Sequence, residues 1–200
     1  MNAALYDQFV VLKSRGNKTE AKSALNAFIA SFATLQEKKE WTFAFLENAD
    51  YGHKIRHETY ENIIYPTLLD GYLKNEFNSI FWLAKTIDNL YEIRCPHPKL
   101  GNKTDLAIFK EAFKLDPTDD IRLHLLDTLL RWFSFSQHEW PAGILYGMDG
   151  ADMTQCEDIL NEVRFARTLD KEGKCNEYFS DFESKIRKYI SRLQACNSSG

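Results

Sequence analysis

The chain has 200 residues, 44% hydrophobic and 27% charged, with Phe 14, Tyr 9 and Trp 4, which is ample apolar material for the core of one domain. Its formal charge of −4 at pH 7 argues against a nonspecific nucleic-acid binder. No run approaches the ~18 apolar residues of a membrane span, and the amphipathic start "MNAALYDQFVVLKSRG" lacks a signal-peptide pattern, so the expected setting is cytoplasmic with no membrane partner.

Apolar residues recur at helical spacing along the whole chain, and no stretch alternates convincingly as a strand does. A first helix is predicted over 3–15, with Leu5, Phe9 and Leu12 on one face and Gly16 as its stop. The second, 18–34, carries the stripe Ala21, Ala24, Leu25, Phe28, Ile29 and Phe32. The third, 36–48, turns around Trp41, Ala44 and Phe45. A fourth spans about 53–65, and Pro66 lies near the start of a short fifth to about 74, because proline fits a first turn. Residues 76–92 repeat Phe77, Ile80, Phe81, Ala84, Ile87 and Tyr91. The stretch "IRCPHPKLGNK" is the clearest loop.

After a helix over 104–115, "LDPTDD" offers Asp116 as an N-cap, Pro117 at the first helical position, and Asp119 and Asp120 where the helix dipole favours negative charge. The helix over 117–136 is apolar on most sides, which reads as a central helix, with one polar stripe of Asp120, His124, Asp127 and Arg131. Thr154 and Glu157 have capping-box spacing for a helix from about 155, which buries Cys156, Ile159, Leu160 and Val163. The last helix, 174–195, presents Phe179, Phe182, Ile186, Tyr189, Ile190 and Leu193.

The expected fold is therefore all-α: about nine antiparallel helices in a compact irregular bundle or a short stack of helical hairpins. The organisation reads as one domain over 1–196, with a subdivision near 94–103 as the alternative and a disordered tail at 197–200. "GNKTEAKSALNAF" and "FKEAFKLDP" resemble pieces of tetratricopeptide hairpins, and Phe109, Ala112 and Pro117 keep the spacing of that repeat's second helix. The preceding helix does not match and no 34-residue period recurs, so the likeness is local helix-hairpin chemistry.

The four cysteines, Cys95, Cys156, Cys175 and Cys196, form no CxxC and read as reduced, mostly buried thiols. Nucleotide and nucleophile-elbow motifs are absent. So is HExxH, because Trp140, Pro141 and Ala142 follow His138 and Glu139, and Pro141 ends the helix such a zinc pair needs. No metal or cofactor is assigned. The weak metal candidates are His53, His57 and Glu61, at i, i+4 and i+8 on one helix face, and their simpler reading is a solvated stripe with His57 paired to Glu61. Asp120, His124, Asp127 and Arg131 could supply a carboxylate–histidine base beside an arginine, or form a polar seam of i, i+4 pairs.

Charge is uneven. Residues 1–100 hold 12 basic and 12 acidic side chains, and residues 101–200 hold 13 and 17. From Trp132 to Val163 there is no lysine or arginine, while Glu139, Asp149, Asp152, Glu157, Asp158 and Glu162 are present. That span contains the longest inferred connection, about 137–152, and such loops are often functional. Trp140 and Tyr146 are interface-anchor types, and surrounding acids suit a basic partner.

The favoured reading is a non-enzymatic protein-binding module whose acidic, aromatic surface comprises His138, Glu139, Trp140, Tyr146, Asp149, Asp152, Glu157 and Asp158. Immunity-type inhibitors of basic toxins share its physical type, and that comparison is an analogy. The alternatives are a hydrolase-like or metal-dependent enzyme with an interhelical cleft, and a hairpin-repeat scaffold that holds a peptide.

Overall fold

The structure is a computed structural model that describes residues 1–48, 55–90, 93, 97–100 and 103–197. Its helices are α1 (Ala3–Ser14), α2 (Lys18–Ala30), α3 (Leu35–Asn48), α4 (His57–Thr59), α5 (Tyr65–Leu73), α6 (Phe77–Lys85), α7 (Ile87–Leu90), α8 (Asp105–Leu115), α9 (Asp119–Ser136), α10 (Met153–Leu169) and α11 (Asn176–Asn197). A π-helical turn, Tyr60–Ile64, joins α4 to α5. Among the described residues the chain is thus all-α apart from one small hairpin, β1 (Leu145–Tyr146) and β2 (Asp149–Gly150). The sequence reading overlooked this hairpin, whose strands of two residues are too short to alternate visibly. No helix among the described residues is long and apolar enough to cross a membrane. Contacts divide the chain into two compact units, Met1–Leu115 and Asp116–Gly200. The division falls at "LDPTDD", downstream of the subdivision near 94–103 that the sequence offers as an alternative.

In the first unit, α1 stops at Gly16, whose φ of +79° suits a residue without a side chain. The Gly16 N–H donates to Lys13 O and the Asn17 N–H donates to Leu12 O, at 3.1 and 3.0 Å. This pair of bonds is a Schellman cap. It turns α2 back onto α1, and Phe9, Ala21, Ala24, Leu25, Phe28 and Ile63 form one buried cluster. Tyr6, Phe32 and Trp41 pack around it, with Trp41 stacked on Phe45 at 4.8 Å. On α3 the buried positions are Thr42 and Leu46, with Trp41 and Phe45 half-buried, while the expected core residue Ala44 is exposed.

Pro66 does not separate two helices as the sequence suggests. The chain runs through it, because the preceding turn widens to π geometry, with the Tyr65 N–H donating to Tyr60 O. A proline ring crowds the carbonyl four residues earlier and offers it no donor. Here that carbonyl, Asn62 O, accepts a 2.8 Å bond from Lys38 Nζ. Helix α5 ends in a second Schellman cap, with Asn75 at φ +58° and the Glu76 N–H donating to Gly71 O at 2.8 Å.

The most enclosed helix of this unit is α6, which packs on α5 and α8 and buries Ser79 through Ala84 without interruption. Its close approach to α5 depends on Gly71. A Cβ there would lie 1.9 Å from Ser79 Oγ and 2.5 Å from Ser79 Cβ. Thr86, between α6 and α7, is buried and shares a 3.1 Å hydrogen bond with the Tyr60 hydroxyl. Burial pushes that phenol well above its usual pKa.

In the second unit, α10 packs on both α9 and α11, and α9 in turn meets α11 through Phe133. One face of α9 buries Ile121, Leu125, Leu129 and Phe133, and the other leaves Leu123 and Phe135 exposed at 54% and 43%. The N-cap of α9 is Thr118 rather than Asp116, and Pro117 lies outside the helix. The first turn is fixed from Asp119, whose carboxylate holds Lys171 and the buried Arg122 at 2.9 Å each. These two cations lower the pKa of Asp119, Lys171 contributing first. The Arg122 guanidinium also donates to Leu169 O at the end of α10. The corner after α10 is closed by Asp170, whose carboxylate accepts the backbone N–H groups of Lys174 and Cys175. Helix α11 buries Phe179, Phe182 and Ile186, and Phe133 meets Phe182 with ring centroids 5.2 Å apart.

We expect Gly71→Ala to cost about 1–3 kcal/mol by overpacking, and Gly16→Ala about 1–2 kcal/mol by forcing a side chain into the left-handed region. Urea unfolding measures both. Only the first should be partly rescued by Ser79→Gly, because only it is a contact problem.

Candidate functional site

The 137–152 connection becomes a turn followed by the hairpin. Helix α9 ends at Ser136, well before Pro141, so proline is not what stops it. The chain then turns through bonds from Trp140 N–H to Gln137 O and from Ala142 N–H to Glu139 O, at 3.0 and 2.7 Å. The Trp140–Pro141 peptide is cis. Tyr146 pairs with Asp149 and Leu145 with Gly150 across the hairpin. Its two-residue loop is Gly147-Met148, and Gly147 has φ +65°, as a type II′ turn requires at that position.

The base of this hairpin is anchored and its tip is free. Ile144 and Ala151 are buried at 0% and 2% exposure, and the Ala151 N–H donates to Ile144 O at 2.7 Å. Tyr189 of α11 lies beneath, so close that a Cβ on Gly150 would be 3.3 Å from its hydroxyl. Tyr146 meets Trp132 edge-on at 6.1 Å and keeps 36% of its surface exposed. Met148, at the tip, is 87% exposed.

The proposed binding residues fall into distinct groups. His138 and Glu139 are exposed and lie 3.4 Å apart. Trp140 is half-buried beneath Arg192, whose guanidinium lies 5.0 Å from the ring and donates to Pro141 O at 2.7 Å. Lys185 reaches the same corner, donating to Gln137 Oε1 at 2.9 Å. The span without lysine or arginine is therefore not free of positive charge in space, because α11 supplies Arg192 and Lys185. The arrangement leaves the acidic character to the hairpin and the start of α10. Asp149 and Asp158 are exposed and make no ion pair among the described residues, and Glu157 is 3.9 Å from Arg164.

Asp152 has a structural duty instead. It is the N-cap of α10, accepting the Gln155 N–H at 2.8 Å while Gln155 Oε1 accepts the Asp152 N–H at 2.9 Å. This capping box replaces the expected Thr154–Glu157 pair. The preceding residue, the buried Ala151, sets the start of the helix two positions earlier than the sequence pattern suggests.

The other candidates remain separate. His57 and Glu61 pair at 3.2 Å, as a solvated stripe would, while His53 lies outside the described residues, as does Cys95. Among the described residues no group of three or more His, Cys, Asp or Glu side chains could hold a metal ion. On α9, Asp120 lies 3.5 Å from His124 and Asp127 lies 3.1 Å from Arg131. Both are i, i+4 pairs, with Asp120, Asp127 and Arg131 exposed and His124 half-buried.

Sequence reasoning missed Arg192. It sits far along the chain, and no local spacing links it to Trp140. The thiols also differ from expectation: Cys156 is buried, Cys175 intermediate and Cys196 exposed. Burial, with Asp152 and Glu157 adding to it, pushes the Cys156 thiol up to about 11. Because the thiolate is the reactive form, iodoacetamide at neutral pH should, among the described thiols, label Cys196 first and Cys156 last. Site-resolved mass spectrometry reads that order, and early labelling of Cys156 would contradict the burial described. We also expect Asp152→Ala to cost about 1 kcal/mol of stability through loss of the cap, measured by urea unfolding.

Compared with protein families, curated proteins and solved structures, the chain matches none.

Proposed function

We propose that this protein is a non-enzymatic binding module that engages a basic protein partner through the 145–150 hairpin and the first turns of α10. The observation that carries the reading is Met148, 87% exposed at the tip of a hairpin whose base is locked into the core. A large apolar side chain held out on a fixed support has no role in packing its own unit. It suits insertion into a partner's pocket, with little ordering left to lose on binding. Tyr146 gives a second amphipathic contact beside it. Asp149 and Asp158, unpaired among the described residues, would favour approach of a positively charged surface. A secreted or intracellular toxin of basic character is one partner of this kind, and an immunity-type inhibitor is the finer form of the proposal.

The test separates contact from stability by leaving the cap Asp152 unchanged. The tagged chain captures its partner from cells of its source, and affinities are compared for the Met148→Ser and Asp149→Lys/Asp158→Lys variants. The tip change should weaken binding at least ~10-fold, chiefly through faster dissociation. The charge reversal should slow association and flatten its dependence on salt. A partner that binds all three proteins equally would overturn the proposal.

A further inference from the structure

The first unit contains a feature that the hairpin reading does not use. A pocket of about 390 Å³ opens among α1, α2 and the start of α4. Its volume falls in the range of small-molecule sites. Phe9 and Ala21, each only 4% exposed, give it an apolar floor. Around them stand Lys13, Lys18, Lys22 and Arg56, with Glu58 as the one carboxylate among the described lining residues. This concentration of positive charge occurs in a chain whose net charge is −4.

Lys13 suits the last turn of α1 and lies 5.9 Å from the Phe9 ring, whereas Lys18 and Lys22 are poorly explained by the fold. Lys13, Lys18 and Lys22 are exposed, and none makes an ion pair among the described residues. Lys18 opens α2, the end of a helix where a cation is disfavoured. Lys18 and Lys22 lie at i, i+4, a spacing at which like charges repel. Asn17, the N-cap of α2, makes no side-chain bond to the helix start and instead donates to Glu20 at 3.4 Å. Glu20 partly offsets the dipole but does not line the pocket. Each of these unfavourable placements becomes favourable when an anion is bound at the mouth.

Arg56 is engaged by Glu58 at 3.1 Å, so among the described lining residues the three ammonium groups make no ion pair. Compact, rotatable point charges of this kind suit a tetrahedral dianionic group, whereas a planar carboxylate is best matched by the fork of a guanidinium. We propose that the pocket binds a small phosphomonoester, its phosphoryl group held by Lys13, Lys18 and Lys22 and its apolar body resting on Phe9 and Ala21.

The experiment is a titration of the isotope-labelled full chain, followed by backbone amide shifts. The probes are phenyl phosphate, inorganic phosphate and vesicles carrying phosphatidic acid. Phenyl phosphate should give saturable shifts centred on α1, α2 and Arg56–Glu58, and should bind ~10-fold more tightly than inorganic phosphate. Lys18→Gln/Lys22→Gln should weaken it ~10-fold while Lys188→Gln leaves it unchanged. All three lysines are exposed, so the dispersed spectrum of each variant reports that it folds. Absence of saturable shifts, equal affinity for the variant, or equal affinity for the two phosphates would overturn the proposal. Vesicle binding without phenyl phosphate binding would overturn it too, assigning the lysines to a lipid surface.

Discussion

An α-helix leaves unpaired N–H groups at its start and unpaired C=O groups at its end, and the partner each group finds decides where the chain can turn. In a nearly all-helical chain that constraint governs which apolar faces meet. Gly16 closes α1 by a Schellman cap and delivers α2 onto it, which builds the Phe9–Phe28 cluster. Asn75 closes α5 in the same way and delivers α6. Lys38 takes the carbonyl released by Pro66, so α5 continues from the π turn without a break. Asp152 and Asp170 bracket α10 with carboxylates that accept backbone N–H groups.

The connection from α9 to α10 meets the same requirement differently. It spends its residues on a turn and a hairpin, satisfying its backbone locally and anchoring Ile144 and Ala151 in the core. Arg192 fixes the outer side by covering Trp140 and binding Pro141 O. What remains is a rigid stem that carries Tyr146, Met148 and Asp149 into solvent. Trp140 is then half-buried under Arg192, and the corner between His138 and Pro141 is electrically mixed rather than acidic.

The parts of this structure that depend on neighbours along one helix were legible in the sequence. The stripe of α2, the buried face of α10 and the Gly16 stop all follow from spacing and one backbone preference. The His57–Glu61 and Asp127–Arg131 pairs were likewise readable as i, i+4 partners. Features that depend on the third dimension were not. Pro66 reads as a boundary unless one knows that Lys38 can reach Asn62 O. Asp152 and Thr154 are both plausible caps until the burial of Ala151 selects the first. Arg192 and Lys185 come to the 137–141 corner only through the packing of α11, so the charge gap in the sequence overstated the acidity of the surface. Nothing in the spacing of Lys13, Lys18, Lys22 and Arg56 announced a shared pocket, because two helices and a third segment contribute to it.

The central claim is that partner contact occurs through a hairpin with a fixed base and an open tip. Amide hydrogen exchange of the chain with and without its captured partner addresses it most directly. The account predicts that Ala151 exchanges slowly in both states, and that Tyr146 to Asp149 exchange quickly alone and slow sharply on binding. Protection confined to other faces, with the hairpin unchanged, would contradict it.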